Sequence, residues 1–153
     1  SISLGLPNLL ILRSMTKDYA IAGIRLGYAV GPTDIIAALS KVRPPWSVNA
    51  AAQEVGLASL MDTEYLPRTL SHLRAAKQKF LAGFHSLGLE PIPSETHYFI
   101  IRVGKAAELR SQLLKHKLQV RDCASFGLPD HIRVATKKPT ENEILLSKLK
   151  EIR

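Results

Sequence analysis

The chain has 153 residues, 46% of them hydrophobic and 22% charged, with a formal charge of +8 at pH 7. That balance belongs to an average domain able to build its own core, and excludes a disordered or low-complexity segment. No apolar run approaches a bilayer's thickness and no basic-then-apolar leader is present, so membrane partners are not expected.

Cys123 is the single cysteine, which excludes an internal disulfide and fits a reducing compartment; cytoplasm is the expected address. The five histidines are scattered without metal-ligand spacing, so no metal is expected. The positive excess is spread over helix faces, as at Arg68, Arg74, Lys77 and Lys79, with aromatics at only 6% and no nucleic-acid motif. A solvated face accounts for it, and nucleic acid is not an expected partner.

Residues 1–7 lack periodicity. After Asn8, the apolar run 9–12 predicts a strand leading into Ser14-Met15-Thr16-Lys17. A second strand is expected over 25–30, closed by Gly31-Pro32, then a helix over 33–42 with Thr33 as N-cap and Pro44-Pro45 as stop. Trp46 falls in the following loop, a common place for a packing anchor, and the alanine-rich stretch 48–61 is expected to be helical. Across 62–87, Leu66, Leu70, Leu73, Phe80, Leu81, Phe84 and Leu87 recur at three- and four-residue steps, predicting a long amphipathic helix ended by Gly88. Past a turn at 89–95, strands are expected at 97–103, 119–121 and 131–135, with a helix over 106–118. Thr140-Glu141-Asn142-Glu143 has the form of a capping box before a last helix carrying Ile144, Leu145, Leu149 and Ile152. Two strands and a helix cannot close a doubly wound sheet alone, so the front reads as the end of a larger α/β unit. The back reads as a compact α+β domain with a small antiparallel sheet.

Chemistry concentrates at Lys17. Two hydroxyl residues, Ser14 and Thr16, precede it, and Arg25 follows eight positions later beside Gly27. Hydroxyls and a guanidinium can hold a phosphate dianion, while a desolvated lysine amine can attack a carbonyl. A competing reading is serine acyl transfer of the penicillin-binding type, where S-x-x-K is joined by S-x-N, as in Ser47-Val48-Asn49. Its third element, K-T-G, is absent, and it needs Ser14 to open a helix where the apolar run predicts a strand.

The run from Leu12 through Lys17 to Arg25 resembles the cofactor-lysine segment of fold-type I pyridoxal-phosphate enzymes, S-x-[ST]-K followed at a fixed interval by arginine. Within that group it is similar to the histidinol-phosphate aminotransferase and threonine-phosphate decarboxylase branch. Ile132-Arg133-Val134-Ala135-Thr136, Val120-Arg121-Asp122-Cys123 and Pro45-Trp46-Ser47-Val48-Asn49 stand where that branch has similar segments. Glu95-Thr96-His97-Tyr98-Phe99 departs from the aminotransferase pattern, which has asparagine in place of His97, toward the decarboxylases.

The resemblance implies an α/β fold: the end of the large cofactor domain over 1–62, a connecting long helix over 63–90 and a small α+β domain over 91–153. It implies pyridoxal 5'-phosphate bound as a Schiff base to Lys17 and held by Ser14, Thr16 and Arg25. It further implies a small amino acid or amino-phosphate substrate whose carboxylate meets Arg133, and a homodimer; His97 reads equally as a substrate contact or as a strand histidine with a structural hydrogen bond. Aminotransferase activity is the expectation, with threonine-phosphate decarboxylation of the cobalamin-synthesis type as alternative. The family's ring-nitrogen aspartate and glycine-rich phosphate loop precede the lysine and are not found, so the chain reads as a C-terminal fragment. Alone, it is expected to be inert, or to act only by binding or dimerising. For Cys123 a small buried filler is expected, and for Arg121 and Asp122 structural pairing.

Overall fold

A computed structural model describes residues 6–152, so residues 1–5 of the aperiodic start lie outside it. The chain divides into two compact units between Arg68 and Thr69.

The first unit holds strand β1 (Ile11–Arg13), helix α1 (Met15–Asp18), a 3-10 turn (Ala22–Ile24), strand β2 (Tyr28–Val30) and helices α2 (Thr33–Val42) and α3 (Ala50–Met61). β1 and β2 pair antiparallel, with Ile11 opposite Val30 and Arg13 opposite Tyr28. The second strand is shorter than expected because Arg25 takes a left-handed conformation (φ 57°) after the 3-10 turn, which ladder pairing does not tolerate. α2 has the expected bounds, but Pro32 occupies the cap position and Thr33 is the first helical residue, without a side-chain cap. α3 starts at Ala50 because Asn49 Oδ1 accepts from the Ala52 amide at 2.8 Å. Asp62 Oδ1 accepts from the Tyr65 amide at 2.9 Å, so helix α4 (Tyr65–Ser86) opens three residues later than the apolar periodicity suggests.

The second unit contains α4 from Thr69 onward, strand β3 (Tyr98–Arg102), helix α5 (Ala106–Lys115), strands β4 (Arg121–Cys123) and β5 (Leu128–Ala135), and helix α6 (Pro139–Ile152). Its sheet has the order β3-β5-β4, antiparallel throughout. Alternation decides its inner face: Phe99 and Ile101 of β3 and Ile132 and Val134 of β5 are buried with Phe80 and Phe84 of α4, Leu109 and Leu113 of α5, and Leu145 and Leu149 of α6. Gly88 (φ 68°) ends α4 as expected, with the Leu89 amide reaching Phe84 O at 3.0 Å and the Gly88 amide reaching His85 O at 2.9 Å.

The expected capping box at 140–143 is corrected. α6 begins at Pro139, whose missing N–H costs nothing in a first turn, so Thr140 lies inside the helix. Buried Asn142 secures this end, its Oδ1 accepting from the Lys137 amide at 2.9 Å and its amide group donating to Lys137 O at 3.1 Å. No helix among the described residues is long and apolar enough to cross a membrane.

Candidate active-site residues

Lys17 sits in α1, a single turn entered directly from β1. Thr16 is buried, and its hydroxyl is the hub of the segment: it meets Ser14 Oγ at 2.8 Å and accepts from Lys17 Nζ at 3.1 Å. Lys17 is exposed and has no carboxylate partner among the described residues. The adjacent carboxylate, Asp18, is taken by Arg13 at 2.9 Å, and this contact raises the guanidinium's pKa. The amine is thus held by a neutral hydroxyl and not neutralised by a carboxylate.

Ser14 does open a helix, contrary to the expectation used against acyl transfer; one turn forms because the Lys17 and Asp18 amides both reach Ser14 O. The S-x-N element is occupied otherwise, since Asn49 caps α3. Arg25 is exposed, donates to Ala22 O at 3.3 Å, and shares no hydrogen bond with Ser14, Thr16 or Lys17. Gly27 explains the spacing that follows Arg25. A Cβ there would lie 2.7 Å from Arg13 O and 3.8 Å from Ser14 Cα, so only glycine lets this segment pass the entrance of the lysine turn.

In the second unit, Arg133 lies on β5 between buried Ile132 and Val134, so it points from the opposite face of the sheet. Its register partners are Ile100 on β3 and Arg121 on β4, which places two guanidinium residues side by side. Each is backed by an aromatic ring: Arg133 Cζ lies 5.1 Å from the Tyr98 centroid, and Arg121 Cζ lies 5.0 Å from that of Phe126. Arg133 has no carboxylate partner among the described residues. His97 is exposed, and its ring meets Tyr98 edge-on at 5.2 Å while its carbonyl accepts from the Thr136 amide at 2.7 Å.

Asp122 lies 3.8 Å from Arg110 of α5, and Arg121 donates to Ser125 Oγ at 3.3 Å. Cys123 is buried, and burial pushes its thiol pKa up, as befits a filler. Trp46 is 97% exposed, so of its two readings, a residue of the family-like segment 45–49 or a packing anchor, the second does not hold within this chain. Sequence reasoning missed Tyr98 and Phe126 as supports for the two arginines. The alternation of β3 gives Tyr98 the same outward side as Ile100, but pairing it with Arg133 requires the register.

Residues 5–149 match the family model for aminotransferase class I and II. The chain belongs to that family. It is 42% identical over 145 residues to histidinol-phosphate aminotransferase of Symbiobacterium thermophilum, covering 94% of this chain and 40% of that protein. The crystal structure of L-threonine-O-3-phosphate decarboxylase from Porphyromonas gingivalis superimposes with a TM-score of 0.87 at 29% identity, over 97% of this chain and 47% of that one. Histidinol-phosphate aminotransferase from Sinorhizobium meliloti, solved in complex with pyridoxal-5'-phosphate, gives 0.84 at 26% identity, over 95% and 41%. The chain therefore spans about 40% of the length of the curated relatives it matches. The mixed helix-and-sheet class expected from sequence is the class these structures share.

Proposed function

We propose that this chain is the lysine-bearing part of a pyridoxal-phosphate-dependent aminotransferase of the histidinol-phosphate aminotransferase type. The observation that carries the reading is the exposed Lys17 amine, tied to the Thr16 hydroxyl and through it to Ser14, within a chain 42% identical to such an enzyme. In this reading residues 1–62 end the cofactor domain, 63–90 connect and 91–153 form the small domain.

The residues present fit the cofactor. Ser14 and Thr16 offer hydroxyl donors and Arg25 an exposed guanidinium for its phosphate, and Lys17 offers an amine without a competing carboxylate. The bound cofactor would supply an electron sink for the bonds at the substrate's Cα. Lys17 Nζ would take and return the proton at that carbon. Arg133, its guanidinium 5.1 Å from the Tyr98 ring centroid, would present its fork to the substrate carboxylate, and His97 packs edge-on against the same ring. A small amino acid or amino-phosphate is the substrate class.

A second reading, phosphoamino-acid decarboxylation, is favoured by the likeness to the Porphyromonas gingivalis decarboxylase and by His97 in Thr96-His97-Tyr98-Phe99. It uses the same residues and differs in which bond at Cα breaks.

The test is attachment of the cofactor. Incubation with pyridoxal phosphate, borohydride reduction and peptide mass spectrometry are expected to find one equivalent on Lys17 in the native chain and none in Lys17→Ala. Label spread evenly over surface lysines would overturn the assignment.

A further inference from the structure

Lys77 stands in α4 and is half-buried, yet no carboxylate pairs with it among the described residues. Its ammonium donates instead to two main-chain carbonyls, Ser94 O and Thr96 O, the second at 2.7 Å. Those carbonyls belong to the turn that leads into β3. Side-chain hydroxyls knit the same turn: Ser94 Oγ donates to Tyr98 O at 2.6 Å and Thr96 Oγ1 donates to the same oxygen at 2.9 Å. On its far side the turn is fixed to the end of β5 by the Thr136 amide bonding His97 O and by the pairing of Tyr98 with Ala135. These contacts converge on the placement of one residue, Tyr98, whose ring backs Arg133 at 5.1 Å.

We infer that Lys77 is a positioning residue for the anion site at Arg133, acting through the Ser94–Thr96 carbonyls and the Tyr98 ring. A charge-assisted bond to two carbonyls is stronger than a neutral one and holds them in a fixed place. With Lys77 gone, the turn keeps its hydroxyl bonds but loses its charge-assisted tie to α4. Tyr98 then leaves the face of Arg133, and the guanidinium regains rotamers that a bound carboxylate must restrict again. This inference rests on Arg133 as the carboxylate site, and its test separates the two.

The side-chain Nε–Hε signal of Arg133, assigned with Arg133→Lys, reports the ring above it without any ligand. Tyr98→Leu defines the position of that signal when the ring is removed. Lys77→Met is expected to move it at least halfway to that position and to weaken succinate binding about fivefold. Lys77→Arg is expected to keep both near the native values. Lys77→Gln, which keeps donors without charge, provides a second reading should Lys77→Met not fold. A native-like signal in Lys77→Met or Lys77→Gln, or no shift in Tyr98→Leu, overturns the inference. Loss of the folded spectrum in both Lys77 variants overturns it too, since it makes Lys77 a stability residue. If Arg133→Leu binds succinate as well as the native chain, the carboxylate reading fails while the signal still judges Lys77.

Discussion

The two units differ in what defines them. In the second, thirteen side chains form one core, from Phe80 and Phe84 through Ile101, Leu113 and Ile132 to Leu149. In the first, Met15, Thr16, Ala52 and Gly56 are the buried residues among those described, and Leu12, Val42, Trp46 and Met61 are 74–97% exposed. The first unit's elements are set by local chemistry: the Asn49 cap, the Pro44-Pro45 stop after α2, the three-residue strands paired across Gly27. The turn bearing Lys17 is thus shaped by its sequence neighbours, while the exposed apolar side chains around it fit the reading of this unit as the end of a larger domain. Stability of the unit that carries the turn is a separate matter.

The largest effects should expose this asymmetry. Phe84 is fully buried, with its ring 4.8 Å from Phe80 and 5.6 Å from Phe99. Phe84→Ala removes an aromatic from both pairs and leaves a cavity, and is expected to cost about 3–5 kcal/mol. Trp46→Ser, although it removes the largest side-chain type, is expected to stay within about 0.5 kcal/mol. Urea melts followed by circular dichroism measure both; similar losses for the two would erase the distinction between the units.

Two helical glycines sharpen the comparison at smaller scale. A Cβ at Gly83 in α4 would lie 2.3 Å from Leu146 Cδ1 and within 3.3 Å of its Cδ2 and Cγ, and Leu146 is packed against the second unit's core. A Cβ at Gly56 in α3 would meet Leu26 Cδ2 at 2.6 Å, with Leu26 Cγ already at 3.9 Å, beside a cavity lined by Leu26, Leu57 and Leu60 into which that methyl can swing. Both substitutions gain about 1 kcal/mol of helix propensity. At Gly83 overpacking of roughly 1–3 kcal/mol outweighs it, whereas at Gly56 it does not. Thermal melts should therefore show Gly83→Ala lowering the midpoint and Gly56→Ala leaving it level or raised.

Much of this was legible in the sequence where a single residue type does the deciding. Gly88 stops α4 and the bounds of α2 follow from its prolines, because backbone chemistry acts within a few positions. The family was legible from the segment from Ser14 through Lys17 to Arg25, because its residue types and spacing resemble that family's lysine segment. The misses share a cause: Thr140 looked like a cap until Asn142 turned back to Lys137, and Ser14 looked like strand until the Lys17 and Asp18 amides closed on its carbonyl. In both, two local solutions compete and the surroundings choose. The supports of Arg133 lay further out of reach, since Tyr98 and Lys77 are joined to it only through strand register and a turn 17 residues beyond α4's lysine.

The smallest expected effect is on acid stability, and it too belongs to the second unit. Arg102 Nε and His131 Nδ1 each contact Asp130 at 2.6 Å, one on each carboxylate oxygen. The Arg102 guanidinium first, and His131 after it, hold the Asp130 carboxyl below the usual carboxylate range. A depressed folded-state pKa contributes stability that is present above the unfolded value, about 3.9, and is lost as pH falls through the folded one. Glu151 is shifted the same way by Lys148, so the acid limb has at least two sources. Asp130→Asn removes one. The variant should be slightly less stable than the native chain at neutral pH, and the gap should close as pH drops below about 4. Because the residue is well solvated, the difference is small and salt should shrink it further. Melting midpoints taken from pH 6 downward at low and high salt test this. A gap that persists unchanged at the acid end would mean that Asp130 acts through the geometry of its side-chain bonds to Arg102 and His131 and not through its charge.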